Sequence, residues 1–325
     1  MGFFGSLKAS QTAWVHAGLL LVSAFLGLLL GSFIDIFGGC GSLIEPFLMV
    51  LLFFVFVCVD LTSLKRSFHN TRFSCSALLL NFVWTPVFAY LLGLLFFNGD
   101  LDVRIGLVLL LVTPCTDWYL TFTKLSGGDV ALGSSILPVN LILQIVLLPV
   151  YLILFFGVSA DIDVVDLLKE ASFVVIIPVI AAAVFRTVSK RSGNCRKVRD
   201  GFESNTDEIQ LAILCFVIFF MFSSNSGYVT DNYRTVLALI VPLIVFFFAI
   251  YVISSMVGKG VGLERDGTTS LIFTTVARNS PLALAIASAT FSDSPIILVI
   301  LAVVPLIELP VLSVMSFIRT RSSHS

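Results

Sequence analysis

Three short runs break an otherwise apolar chain with groups capable of chemistry. The first is "TPCTD", which places Thr113, Pro114, Cys115, Thr116 and Asp117 in a row inside an apolar segment. The second is "ARNSP", with Arg278, Asn279, Ser280 and Pro281 in another such segment. The third is "PLIELP", which holds Glu308 between two prolines. A thiol at a helix break offers a soft ligand that no oxygen or nitrogen group replaces, and trivalent arsenic and antimony suit it. Asp117 and Glu308 can each carry a proton. An arginine at mid-span costs about 2.5–3.5 kcal/mol on insertion scales unless it finds a partner or water. Arg278 is therefore expected to face Asp117, Glu308 or both across the bundle. Such a contact would be a static ion pair that fixes helix register, or a cation competing with a transported ion or proton for the carboxylates.

Two amides add to this set. Asn140 and Gln144 in "LPVNLILQIVLLP" are four apart and share one helix face. They would line the same cavity, or clasp two helices by hydrogen bonds. Asn81, with Trp84 and Pro86 nearby, and Asn225 are weaker candidates. Cys58, Cys75 and Cys215 read as small apolar side chains. Gly27 and Gly31 form a small-xxx-small pattern whose ordinary meaning is close helix contact.

The elements that position these groups follow from composition. The 325 residues are 58% hydrophobic and 12% charged, with a net charge of −1, and the mean hydropathy is +1.06. A soluble domain is roughly a quarter charged, so the chain belongs in a membrane. A span needs about 20 apolar residues. That measure predicts ten, over about 13–32, 45–63, 73–97, 103–122, 136–156, 164–185, 208–224, 235–257, 268–290 and 295–317. With both termini on one side, that side receives 15 of the 19 basic residues and the other 3, leaving Arg278 within a span. The asymmetry places both termini in the cytoplasm of a multi-pass protein of the plasma (inner) membrane.

The outer loop "GVSADID" divides the ten spans into two sets of five. An odd number per set forces opposite orientation, which is the arrangement of inverted-repeat transporters. The expected architecture is thus all-α and polytopic, in a single transmembrane domain. Repeat one covers about 1–157 and repeat two about 162–318, with a long cytoplasmic loop near 186–207 inside repeat two. Broken spans four and nine then occupy equivalent places and cross at mid-membrane. Paired interruptions of this kind point to the solute site, because they free backbone polar groups where protein shields them from lipid.

Other classes fit less well. His16, His69 and His324 lie away from the polar clusters, and no GxSxG, HExxH or phosphate-binding loop occurs. An enzyme is therefore not expected, nor are a metal, a cofactor or a nucleic-acid partner. No soluble output domain accompanies the spans, and no repeated carbonyl-filter motif appears. The expected partners are the bilayer, a small solute and a coupling ion.

The runs "TPCTDWYLTFTKLSGGD", "LPVNLILQIVLLP" and "VVPLIELPVL" together resemble the arsenite permeases of the bile acid:sodium symporter superfamily. The resemblance covers the whole ten-span layout. It implies that Cys115 is an essential thiol, that Glu308 is the span-ten acid and that Asn279 is the asparagine of the span-nine break. It also implies a panel domain and a core domain, with the broken helices crossing in the core, and arsenite efflux in exchange for protons. The substrate-binding set is then Cys115, Thr116, Asn140, Gln144, Asn279 and Ser280, and the coupling set is Asp117, Arg278 and Glu308. Arg278 and Asp117 depart from the usual pattern, and a fixed guanidinium would repel sodium. The alternative solute is a small organic anion, held by Arg278 and the half-helix N-termini.

Overall fold

The computed structural model describes residues 9–33, 42–58, 70–116, 118–157, 164–191, 193–291 and 293–321. Among these residues every regular element is helical. In chain order they are α1 (Ala9–Phe33), α2 (Ile44–Cys58), α3 (Thr71–Leu79), a π-helical turn (Leu80–Trp84), α4 (Thr85–Phe96), α5 (Leu101–Leu111) and α6 (Trp118–Leu125). Then follow α7 (Val130–Phe156), α8 (Val164–Arg191), α9 (Gly193–Ser224), α10 (Ser226–Asp231) and α11 (Tyr233–Ala238). The last four are α12 (Ile240–Gly260), α13 (Arg265–Val276), α14 (Ser280–Thr290) and α15 (Pro295–Arg321).

Among the described residues, five helical stretches are long and apolar enough to cross a bilayer: Trp14–Ser32, Thr71–Phe96, Val130–Phe156, Tyr233–Gly260 and Pro295–Thr320. Shorter apolar helices, among them Ile44–Val57 and Glu208–Ser224, accompany them. Burial runs opposite to that of a water-soluble protein. Leu95, Leu154, Phe248 and Met256 stand on the surface, while Asn81, Asn140, Gln144, Arg278 and Glu308 are inside. Only lipid makes that distribution favourable. The chain is an all-helical, multi-pass membrane protein.

Helices α1, α2, α8 and α9 pack extensively on one another. The glycine pair in α1 explains the closest of these contacts. A β-carbon at Gly27 would come within 2.6 Å of the Phe219 carbonyl oxygen, and one at Gly31 would collide with the backbone of Ser223. Close helix contact, the ordinary reading of the pattern, is what the structure contains. Gly31→Leu should force α1 away from α9, at a cost of about 1–3 kcal/mol or more. A lower melting temperature of the detergent-solubilised protein would register it, and a melting temperature equal to wild type would contradict this packing.

The stretch 186–207, expected as a loop, is helical on either side of position 192. It contains no proline, and helix propagates at little cost from the spans already formed at each end. Several connections meet at one end of the molecule. Asp129 N–H donates to the Asp266 carbonyl at 3.3 Å, Arg265 to the Arg319 carbonyl at 3.0 Å, and Thr320 to the Leu125 carbonyl at 3.3 Å. Tyr228 instead lies near Asp100 and Asp102, and burial together with those carboxylates pushes its phenol up.

The site depends on two interruptions, 112–116 between α5 and α6 and 277–279 between α13 and α14. They pair antiparallel through backbone hydrogen bonds. Cys115 N–H donates to the Ala277 carbonyl at 2.9 Å, and Asn279 N–H donates to the Thr113 carbonyl at 2.8 Å. This bridge centres on Pro114 and Arg278. It satisfies polar groups that neither helix could satisfy alone, at a depth where an orphaned group is expensive. The two breaks stabilise each other. A third irregularity lies beside them. Pro86 has no N–H for the Phe82 carbonyl, which instead accepts the Tyr151 hydroxyl at 2.7 Å. The chain widens there into the π-helical turn carrying Asn81, the kind of bulge often found at functional sites.

Candidate functional site

Arg278 lies where the two breaks pair and is 2% exposed. Among the described residues its guanidinium pairs with no carboxylate: Glu308, one of the two acids expected to face it, meets its backbone instead, and Asp117, the other, lies outside the described residues. Nε donates to the Val276 carbonyl at 3.1 Å and Nη1 to the Leu111 carbonyl at 2.7 Å. Nη2 donates to Asn81 Oδ1 at 3.3 Å and to the Thr275 carbonyl. The ring of Phe246 lies 5.3 Å from the guanidinium carbon. Broken helices expose carbonyls at their C-termini, and here those oxygens absorb the donors. Glu308, also buried, is met by the backbone of the same residue: Oε1 accepts the Arg278 N–H at 2.7 Å. Glu308 thus caps the break rather than pairing with the guanidinium.

The other side of the paired breaks is built from Cys115, Thr116 and Asn279. Asn279 Oδ1 accepts the Leu282 N–H at 3.2 Å, capping α14, while its Nδ2 donates to Thr116 Oγ1 at 3.2 Å. One amide thereby fixes both breaks. Cys115 is buried, and Cys75, Cys115 and Cys215 form no disulfide with one another. A cavity of about 20 Å³, room for about one water, is lined by Cys115, Thr116, Trp118, Arg278 and Asn279, with Gln210 and Leu214 of α9 and Leu51 and Val55 of α2 opposite. A second cavity of about 20 Å³ touches Ser280 and Glu308. Trp118, Leu214, Arg278 and Pro281 line both. The thiol and the carboxyl therefore face two small spaces with a common wall.

The structure gathers Cys115, Thr116, Asn279, Ser280, Arg278 and Glu308 at one place. Asn140 and Gln144 are fully buried on α7, and neither amide has a protein hydrogen-bond partner. They line neither of the two cavities, and among the described residues no hydrogen bond joins them into a clasp. Asp117 lies outside the described residues. Gln210 was missed by the sequence reading. It is buried, its Nε2 has no protein partner, and it lines the Cys115 cavity. Its one signal is a lone amide at the start of an apolar helix, which also describes an ordinary membrane-entry residue. Asn81 carried a clearer sign, the proline five positions later.

Two broken helices held together by their own backbone, around a buried thiol, carboxyl and guanidinium, define a polytopic membrane protein with a polar interruption inside. Residues 45–232 match the model of the Sodium Bile acid symporter family. The chain belongs to that family and is a membrane transporter, not an enzyme. It is 23% identical over 286 residues to the arsenical-resistance protein Acr3 of Corynebacterium glutamicum, covering 85% of this chain and 77% of the relative. It is 21% identical over 340 residues to the arsenical-resistance protein Acr3 of Alkaliphilus metalliredigens, covering 100% and 94%. Against the uncharacterized protein YbaS of Bacillus subtilis it is 27% identical over 245 residues, covering 72% and 77%. The resemblance to the arsenical-resistance branch is thus carried by the full length as well as by the motifs.

Proposed function

We propose that this transporter exports trivalent arsenic or antimony, bound through the Cys115 sulfur, in exchange for protons carried on buried carboxyls. The observation that supports it best is the thiol in a small internal cavity beside a second one holding Glu308. Arsenous acid is neutral at pH 7, so the membrane potential alone cannot expel it. Loading would form an S–As bond and break one As–OH bond, the thiol proton leaving with that hydroxide as water. Unloading reverses the exchange. Thr116, Asn279 and Ser280 supply polar atoms for the remaining hydroxyls, and Gln210 would reach them from the opposite helix. Asn140 and Gln144 would line the route within the core. Asp117, next in sequence to Thr116, is proposed as the second proton carrier.

The architecture proposed for this cycle has ten spans in two inverted five-helix repeats, with both termini cytoplasmic in the plasma (inner) membrane. A cavity of about 20 Å³ is too small for a metalloid with three oxygens, so loading requires it to widen. The packing of α1, α2, α8 and α9 on one another supports a panel that moves as one body against the remaining helices. Rocking of that kind exposes a midplane site to each side in turn. An organic anion bound by Arg278 is not adopted. Four of the five guanidinium N–H groups are already engaged with internal oxygens.

Expression in a bacterium stripped of its own arsenite exporters tests this reading. Protection against arsenite should appear equally with and without sodium in the medium. Absence of protection in both conditions would exclude the metalloid as solute.

A further inference from the structure

We propose that the Arg278 side chain is a built-in cation filling a cage of helix-terminal oxygens, and that the emptied cage would accept a free guanidinium ion. Among the described residues the cage consists of the carbonyls of Leu111, Thr275 and Val276 together with Asn81 Oδ1. Leu111 and Val276 are the last residues of α5 and α13. Each helix C-terminus carries roughly half a negative charge. Two of them converge on one point, so the cage amounts to roughly one negative charge, which one guanidinium neutralises. The oxygens are neutral and hard, a set that suits monovalent cations and not soft metals.

Asn81 is held for this task. Its Nδ2 donates to the Thr274 carbonyl at 3.4 Å, which turns Oδ1 toward the guanidinium. The π-helical turn brings the amide there, and the face of Phe246 closes one flank by a cation–π contact. Glu308 lies on the backbone side of Arg278 and keeps its carboxyl outside the cage. A tethered cation cannot be released to either side of the membrane. The cage therefore holds constant charge through the transport cycle, and this position takes no dissolved ion. The inference rests on that geometry and stands whether or not the solute is a metalloid.

The test measures melting temperatures of the full-length protein, purified in detergent, at fixed ionic strength. Wild type should melt alike in choline, potassium and sodium chloride. Arg278→Ala should melt lower in choline chloride. It should recover in a saturable way with low guanidinium, by a few degrees per tenfold concentration, because a ligand that binds only the folded state stabilises it logarithmically. Arg278→Lys keeps a tethered charge and should need no added cation to fold. The proposal is overturned if Arg278→Ala shows no saturable recovery, or cannot be obtained even when guanidinium is present throughout preparation. A selective shift of wild type by sodium also overturns it. Recovery of the fold without arsenite protection by wild type would count against the metalloid alone, not against the cage.

Discussion

Cys115→Ser should reduce arsenite transport to the level of cells without the protein while leaving the fold in place. Serine keeps the shape and a hydrogen-bonding group, so the 2%-exposed position should accept it at a cost of about 1 kcal/mol. What it removes is the soft sulfur, and an alkoxide or hydroxyl does not replace a thiolate toward a thiophilic centre. A loss of about 100-fold in rate corresponds to roughly 2.7 kcal/mol of transition-state stabilisation, and the effect should be at least that large. Cys75→Ser and Cys215→Ser provide the contrast. The first residue is exposed and the second half-buried, neither lines the central cavities, and both variants should protect cells as well as wild type. The measurement is arsenite uptake into everted vesicles, normalised to the amount of protein in the membrane. Normal uptake by Cys115→Ser would exclude a sulfur–arsenic intermediate and reopen the question of what the cavity binds.

The breaks themselves were legible in the sequence, and the reason is physical. A proline beside polar residues in an apolar helix has few explanations, and finding two such places invites pairing them. The structure joins them through Cys115 and Asn279, whose backbone N–H groups donate to carbonyls of the opposite break. The partner of Arg278 was not legible, because sequence displays side-chain charge and hides the charge of the backbone. Asp117 and Glu308 are the anions that the sequence displays near that position. The carbonyls of Leu111, Thr275 and Val276 become acceptors only once the helices stop, and their alignment depends on the pairing of the two breaks. Asn81 was hidden for a related reason. Counting from Pro86 identifies the Phe82 carbonyl as orphaned, but not that Tyr151 satisfies it from another helix while the chain widens. Gln210 faces the cavity from α9, and no local pattern distinguishes it from a residue greeting the membrane surface.

Glu308→Gln should uncouple the transporter without emptying its solute site. Glutamine retains an oxygen that can accept the Arg278 N–H, now met at 2.7 Å, so the capped break and the cage behind it should survive. Glu308→Leu would instead leave that buried N–H without a partner, a loss of about 1–3 kcal/mol that confuses stability with coupling. The glutamine variant removes one thing, the capacity to pick up a proton on one side and release it on the other. Glu308 lies at a cavity that shares its wall with the Cys115 cavity, so both would open and close with the same movement of α9. Proton and metalloid can then exclude each other without touching. In everted vesicles, arsenite uptake driven by a pH gradient should fall at least tenfold, about 1.4 kcal/mol in the coupled step. Exchange of labelled for unlabelled arsenite at equal pH should persist, because it needs the thiol and the rocking motion but no net proton. Continued gradient-driven uptake by Glu308→Gln would move the proton to another group, and Asp117, next to Thr116 in sequence, would be the next to replace. Loss of exchange together with net uptake would mean that Glu308 holds the solute itself.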